Sequence, residues 1–307
     1  MSGRGRLAGI VAITITSILW GTTGTAATFA PQAGPLAIGA AALGIGGLLQ
    51  AVVAVPELIA ARAQLRTHAR LIAVGALAVA AYPLAFYSSM HYAGVAIGSV
   101  ISLASAPLAS GLLERIVERK HLGARWKLAA GLGIIGSVLL CVSRFGQDAA
   151  VSTKTVTGVV LGLVAGATYA TYSWVARQLM QDGISRAASM GIVFGTGGLL
   201  LMPVLLATGA PLVSSTQAFA VACYMALVPM FVGYLLFGYG LMRVPASTAT
   251  TITLIEPAVA AILAVVIVGE RLALLGWMGL GILACALMIL VITPARGPRL
   301  GTTAVLG

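Results

Sequence analysis

Charge is scarce in this sequence. Of 307 residues only 8% are charged, 7 acidic against 18 basic, while 60% are hydrophobic and the mean hydropathy is +1.05. A soluble domain of this length needs far more polar surface than so few ionised side chains can cover, which excludes a water-soluble globule. Catalytic equipment is missing too. There is no glycine-rich phosphate loop with a lysine and no HExxH, and His68, His91 and His121 fall at or beyond the ends of apolar runs. Those absences argue against an enzyme, a cofactor and a metal site. The three cysteines, Cys141, Cys223 and Cys285, lie inside apolar runs, where they read as small packing residues rather than disulfide partners or metal ligands.

What the chain has in abundance is long apolar runs. An uninterrupted run of about 18 residues or more crosses the hydrocarbon of a bilayer as a helix. Ten such spans are predicted, near 7–29, 34–55, 71–91, 95–113, 128–143, 156–176, 187–207, 218–242, 246–268 and 273–293. They are rich in Leu, Ala and Gly without period-2 alternation, which disfavours a membrane β-barrel. The first span is too long, and lacks a convincing cleavage site, for a removed signal peptide, so it reads as retained. With both termini in the cytoplasm, one face receives 15 basic residues, among them Arg4, Arg62, Arg66, Arg115, Arg177 and Arg243. The other face receives only Arg144, Lys154 and Arg271. That asymmetry is the positive-inside pattern for an even number of helices. The net charge of +11 therefore sets topology and touches anionic lipid; it does not signal nucleic-acid binding.

The second half resembles the first at an offset near 150. Residues 95–136, VAIGSVISLASAPLASGLLERIVERKHLGARWKLAAGLGIIG, run parallel in order to 245–284, PASTATTITLIEPAVAAILAVVIVGERLALLGWMGLGILA. Pro107 matches Pro257, Ala96 matches Ala246, and Glu118 matches Glu270 after a two-residue slip. Five spans per copy is odd, so the second copy must enter the membrane upside down. The expected architecture is an all-α integral membrane protein of two inverted five-helix repeats, 1–150 and 151–307, forming one transport unit with its site near mid-membrane.

In so apolar a chain each intramembrane polar group is informative. Glu256 is the acid near the centre of a span; the other six sit in loops or at predicted helix ends. A carboxylate at that depth costs several kcal/mol unless it is protonated, paired or facing water. Three readings stay open: a carboxyl bonded to backbone groups freed by Pro257, a substrate contact, or a proton-coupling site. Pro107 and Pro257 are matching mid-span kink candidates. Ser99, Ser102 and Ser105 recur every third residue, as do Thr250, Thr253 and Glu256, so each set lines one helical face, as packing glue or as an aqueous path. Thirteen of the 19 aromatic residues cluster in or beside the third, sixth and eighth spans. Those read at mid-depth, Tyr82, Tyr87, Trp174 and Tyr234, suit the wall of a cavity for an apolar or aromatic solute. Trp20, Thr23, Tyr169, Ser99, Ser102 and Thr253 complete the candidate wall. Gly21 and Gly24 beside Trp20, and the stripe Gly158, Gly162, Gly166, Ala170, read as close helix-packing surfaces.

Ten spans in two repeats, ILWGTTG in the first span and LIEPAVAAILAVVIVGERL in the ninth, together resemble the EamA-type branch of the drug/metabolite transporter superfamily. The resemblance covers nearly the whole chain. Its most specific part is Glu256-Pro257 followed by Gly269-Glu270; the first-repeat copy, Ala106-Pro107 followed by Glu118, is degenerate. The chain looks most like the bacterial aromatic amino-acid exporters of that superfamily. The resemblance implies an exporter of the bacterial inner membrane with a central cavity formed by helices 1, 3, 4, 6, 8 and 9. It maps the WG motif onto Trp20 and Gly21 and the EP motif onto Glu256 and Pro257. The expected activity is export of small amphipathic metabolites, amino acids with aromatic ones favoured, by alternating access. A proton-coupled efflux pump for hydrophobic cations using Glu256 is the alternative, and a channel the remoter one. The expected partners are a small solute and the lipid bilayer; the protein would act as a monomer without an obligatory protein partner.

Overall fold

The computed structural model describes residues 3–93, 95–119, 121–142, 153–268 and 273–292. Ten principal helices follow one another along the chain. They are α1 (Arg4–Ala27), α2 (Pro35–Val53), α3 (Ala69–Ala93), α4 (Val95–Ile116), α5 (Ala124–Val142), α6 (Thr153–Gln181), α7 (Arg186–Thr208), α8 (Thr216–Leu241), α9 (Ala246–Ile267) and α10 (Leu274–Ile292). No strand occurs among the described residues. Seven of the ten, namely α1, α2, α3, α6, α7, α8 and α9, are long and apolar enough to cross a membrane. The other three, α4, α5 and α10, are also helical where spans were predicted. Predicted features at Cys141, Arg144, Asp148, Gly269, Glu270 and Arg271 lie outside the described side chains.

Each helix needs its backbone groups satisfied internally, because hydrocarbon offers no partner. Side-chain hydroxyls obey the same rule: Thr16 Oγ1 donates to Ala12 O at 3.0 Å and Ser17 Oγ to Ile13 O at 2.8 Å, each back to its own preceding turn. The exterior carries large apolar side chains such as Leu77, Leu199, Leu206 and Val266, a surface matched to lipid rather than water.

Packing follows the small residues. α6 lies in the groove between α3 and α4, α5 pairs with α10, and α7 packs on α2 and α3. α1 packs on α8 and α9. The glycine stripe of α6 explains its seat. A side chain at Gly158 would meet Ala93, one at Gly162 would meet Ser89 and Ile101, and one at Gly166 would lie 2.7 Å from Ser102 O. Ser89 Oγ then reaches across to donate to Gly158 O at 2.6 Å. Among the cysteines, Cys223 and Cys285 are free thiols.

Four helices depart from regular α geometry. α2 contains a π turn at Ala40–Ile45 and α8 one at Ala226–Val232 around Pro229. α1 is interrupted at Thr22. α9 passes through a 3-10 turn at Thr253–Ile255 and a π turn at Ala264–Val268. Such turns free carbonyls and re-aim side chains, and they concentrate at functional sites. In this bundle they converge.

Candidate functional site: an aromatic cleft around Glu256

The irregular turns of α1, α2, α8 and α9 meet α3 around one cleft, lined by Trp20, Thr23, Gly39, Ala42, Leu43, Tyr82, Pro83, Phe86, Tyr87, Met230, Tyr234 and Glu256. Six of the residues singled out from sequence share this wall: Trp20, Thr23, Tyr82, Tyr87, Tyr234 and Glu256. Trp20 is fixed by the π turn of α8, for its indole Nε1 donates to Pro229 O at 2.9 Å. Its ring lies 4.7 Å from that of Tyr234 and 5.2 Å from that of Phe237. Tyr82 stacks on Phe86 at 5.5 Å, and Phe86 meets Tyr87 edge-on at 5.3 Å.

Glu256 is 8% exposed. Among the described residues nothing donates a hydrogen bond to its carboxylate and no cation pairs with it. The backbone group freed by Pro257 is already satisfied, because the Glu256 N–H itself bonds Thr253 O within the 3-10 turn. In this geometry the turn, not the carboxyl, meets that group. The tyrosines at 82, 87, 169 and 234 lie within electrostatic range of the carboxylate. A buried acid facing hydroxyls and ring faces, with no protein cation, is equipped to receive a positively charged group of a solute.

Behind the wall is a hydrogen-bonded second layer from α6. Tyr169 OH donates to Thr253 Oγ1 at 2.9 Å, and Tyr172 OH shares a hydrogen bond of 2.7 Å with Tyr234 OH. Both tyrosines touch the Tyr82 ring, at 5.6 Å in each case. Thus Tyr169 and Thr253 stand beside the cleft without opening onto it. Trp174 lies further along α6, where its Nε1 donates to Glu118 Oε1 at 2.8 Å. Ser99 and Ser102 are outside the wall; Ser102 Oγ is turned back to Gly98 O at 2.7 Å, with the α6 glycines against its helix. Pro107 is buried within an unbroken α4, and Pro257 sits beside Glu256 at the end of the 3-10 turn.

Sequence reasoning missed the contribution of α2. Its Gly39 admits the cleft wall, since a side chain there would lie 2.9 Å from the Tyr87 ring and 3.2 Å from Pro83 O. The six-helix cavity implied by the family resemblance therefore differs here: α2 takes part, while α4 and α6 stand behind the wall. The only signal was the run of small residues from Gly34 to Gly47, which lets a helix approach closely. The WG and EP motifs turn out to touch. A side chain at Gly21 would lie 2.6 Å from Val259 and 3.0 Å from Glu256 O, so the glycine permits α1 to lie against α9 where the carboxylate sits.

The cleft is nearly shut: the space open to a water-sized molecule is about 20 Å³, room for about one water. A wider groove of about 480 Å³, by the same measure, runs between the ends of α1 and α9 and the start of α8, past Phe29, Val221 and Ile267. It is mostly apolar, holds no ionisable acid or base, and Phe29 and Ile267 are exposed to the surroundings, so it reads as lipid-facing surface.

Comparison with known proteins adds a family. The profile of the EamA-like transporter family matches residues 7–142 and again 156–292. The uncharacterized transporter YwfM of Bacillus subtilis (strain 168) is 32% identical over 292 residues, covering 92% of this chain and 94% of that protein. An uncharacterized transporter of Clostridium kluyveri is 26% identical over 144 residues, 46% of each chain. A solved crystal structure superposes with a TM-score of 0.73 over 90% of this chain and 94% of its own; at 16% identity it speaks to the fold alone.

Proposed function

The chain belongs to the EamA-like transporter family, and from that premise we propose that it exports small amphipathic metabolites, amino acids with aromatic ones favoured, by alternating access through the cleft. The observation that carries the reading is Glu256, a buried carboxylate without a partner among the described residues, facing a wall of Trp20, Tyr82, Phe86, Tyr87 and Tyr234. A substrate ammonium would take the carboxylate, its apolar or aromatic side chain would lie among the rings, and its own carboxylate would need the tyrosine and threonine hydroxyls. Room for one water is too little for an amino acid, so binding requires the helices to separate around the irregular turns. In this reading the described state is closed.

The two family matches, one in each half, support two inverted five-helix repeats, 1–150 and 151–307, with ten crossings. The basic residues then put both termini in the cytoplasm of a bacterial inner membrane, and no partner protein is required. One observation favours a second reading. An unpaired buried carboxylate among rings also fits a hydrophobic cation, with Glu256 exchanging a proton.

The test is counterflow into liposomes carrying the purified protein, with labelled phenylalanine outside and unlabelled amino acids inside. Saturable uptake accelerated by internal amino acids supports an amino-acid carrier and removes the channel. No uptake above empty liposomes, with labelled hydrophobic cations taken up under a pH gradient instead, would replace the first reading by the second. A Glu256→Gln variant with unchanged rate and unchanged pH profile would take Glu256 out of both.

A further inference from the structure

The bundle is closed at the end where α1 starts by a set of polar contacts that the cleft itself does not use. Glu114, in the last turn of α4, is 4% exposed, and both its oxygens go to one residue of α9. Its Oε1 accepts from Ser247 N at 2.9 Å and its Oε2 from Ser247 Oγ at 2.6 Å. Arg177 of α6 donates to Leu241 O and Val244 O, the carbonyls that close α8 and lead into α9. Trp174, one turn earlier on α6, holds Glu118 just beyond α4.

Ser247 is not an isolated anchor. With Thr250, Thr253 and Glu256 it recurs at three-residue spacing along α9, a polar stripe that winds about the helix from that end of the bundle to the cleft. All four are buried, at 8% exposure or less. Tyr169 occupies Thr253 and Glu114 occupies Ser247. A solute leaving the cleft toward this end would pass along those side chains, and it can do so only if α4 lets go of α9.

Resting on the transport reading above, we propose that Glu114 and Ser247, braced by Arg177, form the latch that closes the cleft at this end, and that each transport cycle breaks and remakes their two bonds. Glu114 is on this account a positioning residue: it meets α9, not the solute. The bonds join the two halves of the chain across 133 residues, where alternating access needs a contact that can be made and broken. A charge-assisted pair suits this, because its strength depends on geometry and lapses over a small displacement.

The test needs no substrate, so a failure to transport phenylalanine would leave it standing. In a protein whose three cysteines are replaced by serine, Thr250→Cys reports access to the α9 stripe, and Thr23→Cys reports the opposite side of the cleft. Each is reacted with a membrane-impermeant maleimide from either face of membrane vesicles. Glu114→Ala should raise the rate at Thr250→Cys about tenfold, the effect of losing a charge-assisted bond. Ser247→Ala, which keeps the backbone donor, should raise it about threefold, while Thr23→Cys reacts no faster. Equal acceleration at both reporters would mean general loosening and would overturn the latch, as would unchanged rates in folded protein. Where Glu114→Ala fails to fold, Ser247→Ala decides by the same two readouts.

Discussion

α4 and α9 carry the same proline in two different helices. α4 runs as an unbroken α-helix from Val95 to Ile116 through Pro107. α9 tightens into a 3-10 turn just before Pro257 and loosens into a π turn seven residues after it. Each proline deprives the carbonyl four residues earlier of its donor, Leu103 O in one helix and Thr253 O in the other. In α9 the Glu256 N–H takes over Thr253 O, and the helix reshapes to allow it. The neighbours differ as well. α4 is clamped on α6 at Gly166, where a side chain would lie 3.1 Å from Ala106 N. α9 touches α1 at Gly21 in much the same way, but its other side borders the cleft. A proline, then, does not by itself make a membrane helix irregular; it permits irregularity where the surroundings leave space for it.

Exchanging the residue before each proline should break this comparison most severely. Ala106 is fully buried against α6. Ala106→Glu would put a carboxylate into a fully buried, closely packed helix contact, at a cost of several kcal/mol, and the folded fraction in size-exclusion chromatography should collapse. Glu256→Ala should leave that elution profile unchanged, because the carboxylate holds no partner among the described residues. Its effect should fall on transport, raising KM about 10- to 100-fold, the worth of a hydrogen bond to a charged group. If instead Glu256→Ala unfolded the protein, the acid would be structural and the site reading would fail.

The two glycine contacts come next. Gly21→Val and Gly166→Val each force a side chain onto backbone atoms at 3.0 Å or nearer. Overpacking of this kind costs about 1–3 kcal/mol and should lower the apparent Tm of both by a similar amount. Only Gly21→Val should also depress transport in the protein that remains folded, because it pushes α1 off the helix that carries Glu256. Equal transport loss in both would mean that α4 and α9 serve the cleft alike.

The bilayer made the helices legible. Hydrocarbon demands continuous apolar runs, and their positions agree with α1 to α10 to within a few residues. Glu256 was legible for the same reason, since a lone mid-span acid stands out against an apolar background. The α2 wall was not, because Gly39 and Ala42 contribute by their smallness and advertise no chemistry. Trp174 looked like a cavity residue by depth, yet the indole N–H found the Glu118 carboxylate one turn from the end of the bundle. Glu114 was visible as an acid at a predicted helix end, whereas Ser247 drew no attention in the sequence. Their pairing was not visible, since nothing local to either specifies a partner 133 residues away.

The second layer offers a finer contrast between the halves. Tyr169→Phe removes the donor to Thr253 on α9, leaving the ring contacts with Trp20, Tyr82 and Tyr172 in place. Losing one neutral hydrogen bond is worth about 1 kcal/mol, so KM should rise about fivefold with a small fall in Tm. Ser102→Ala on α4, whose hydroxyl only returns to Gly98 O within its own helix, should change transport by less than its assay error. A clear transport defect in Ser102→Ala would mean that the serine face of α4 opens to the solute in another state of the cycle.

The prolines themselves should give the smallest effects, and the most direct ones for the opening contrast. Pro107→Ala restores the missing donor in a helix that is already regular, so no rearrangement is available to it. The variant should match the parent in transport and differ in stability by no more than about 0.5 kcal/mol, the ordinary range for a change that disturbs no packing. Pro257→Ala differs because the 3-10 turn exists to satisfy Thr253 O. With an N–H back at 257, the turn can relax into an α-helix, rotating Glu256 relative to Tyr87 and Tyr234. Transport should then fall about threefold while Tm stays level or rises, since the α-helical bond geometry is the better one. Equal responses at 107 and 257 would show that α9 is bent by its packing against α1 and the cleft, with the proline a passenger in both helices.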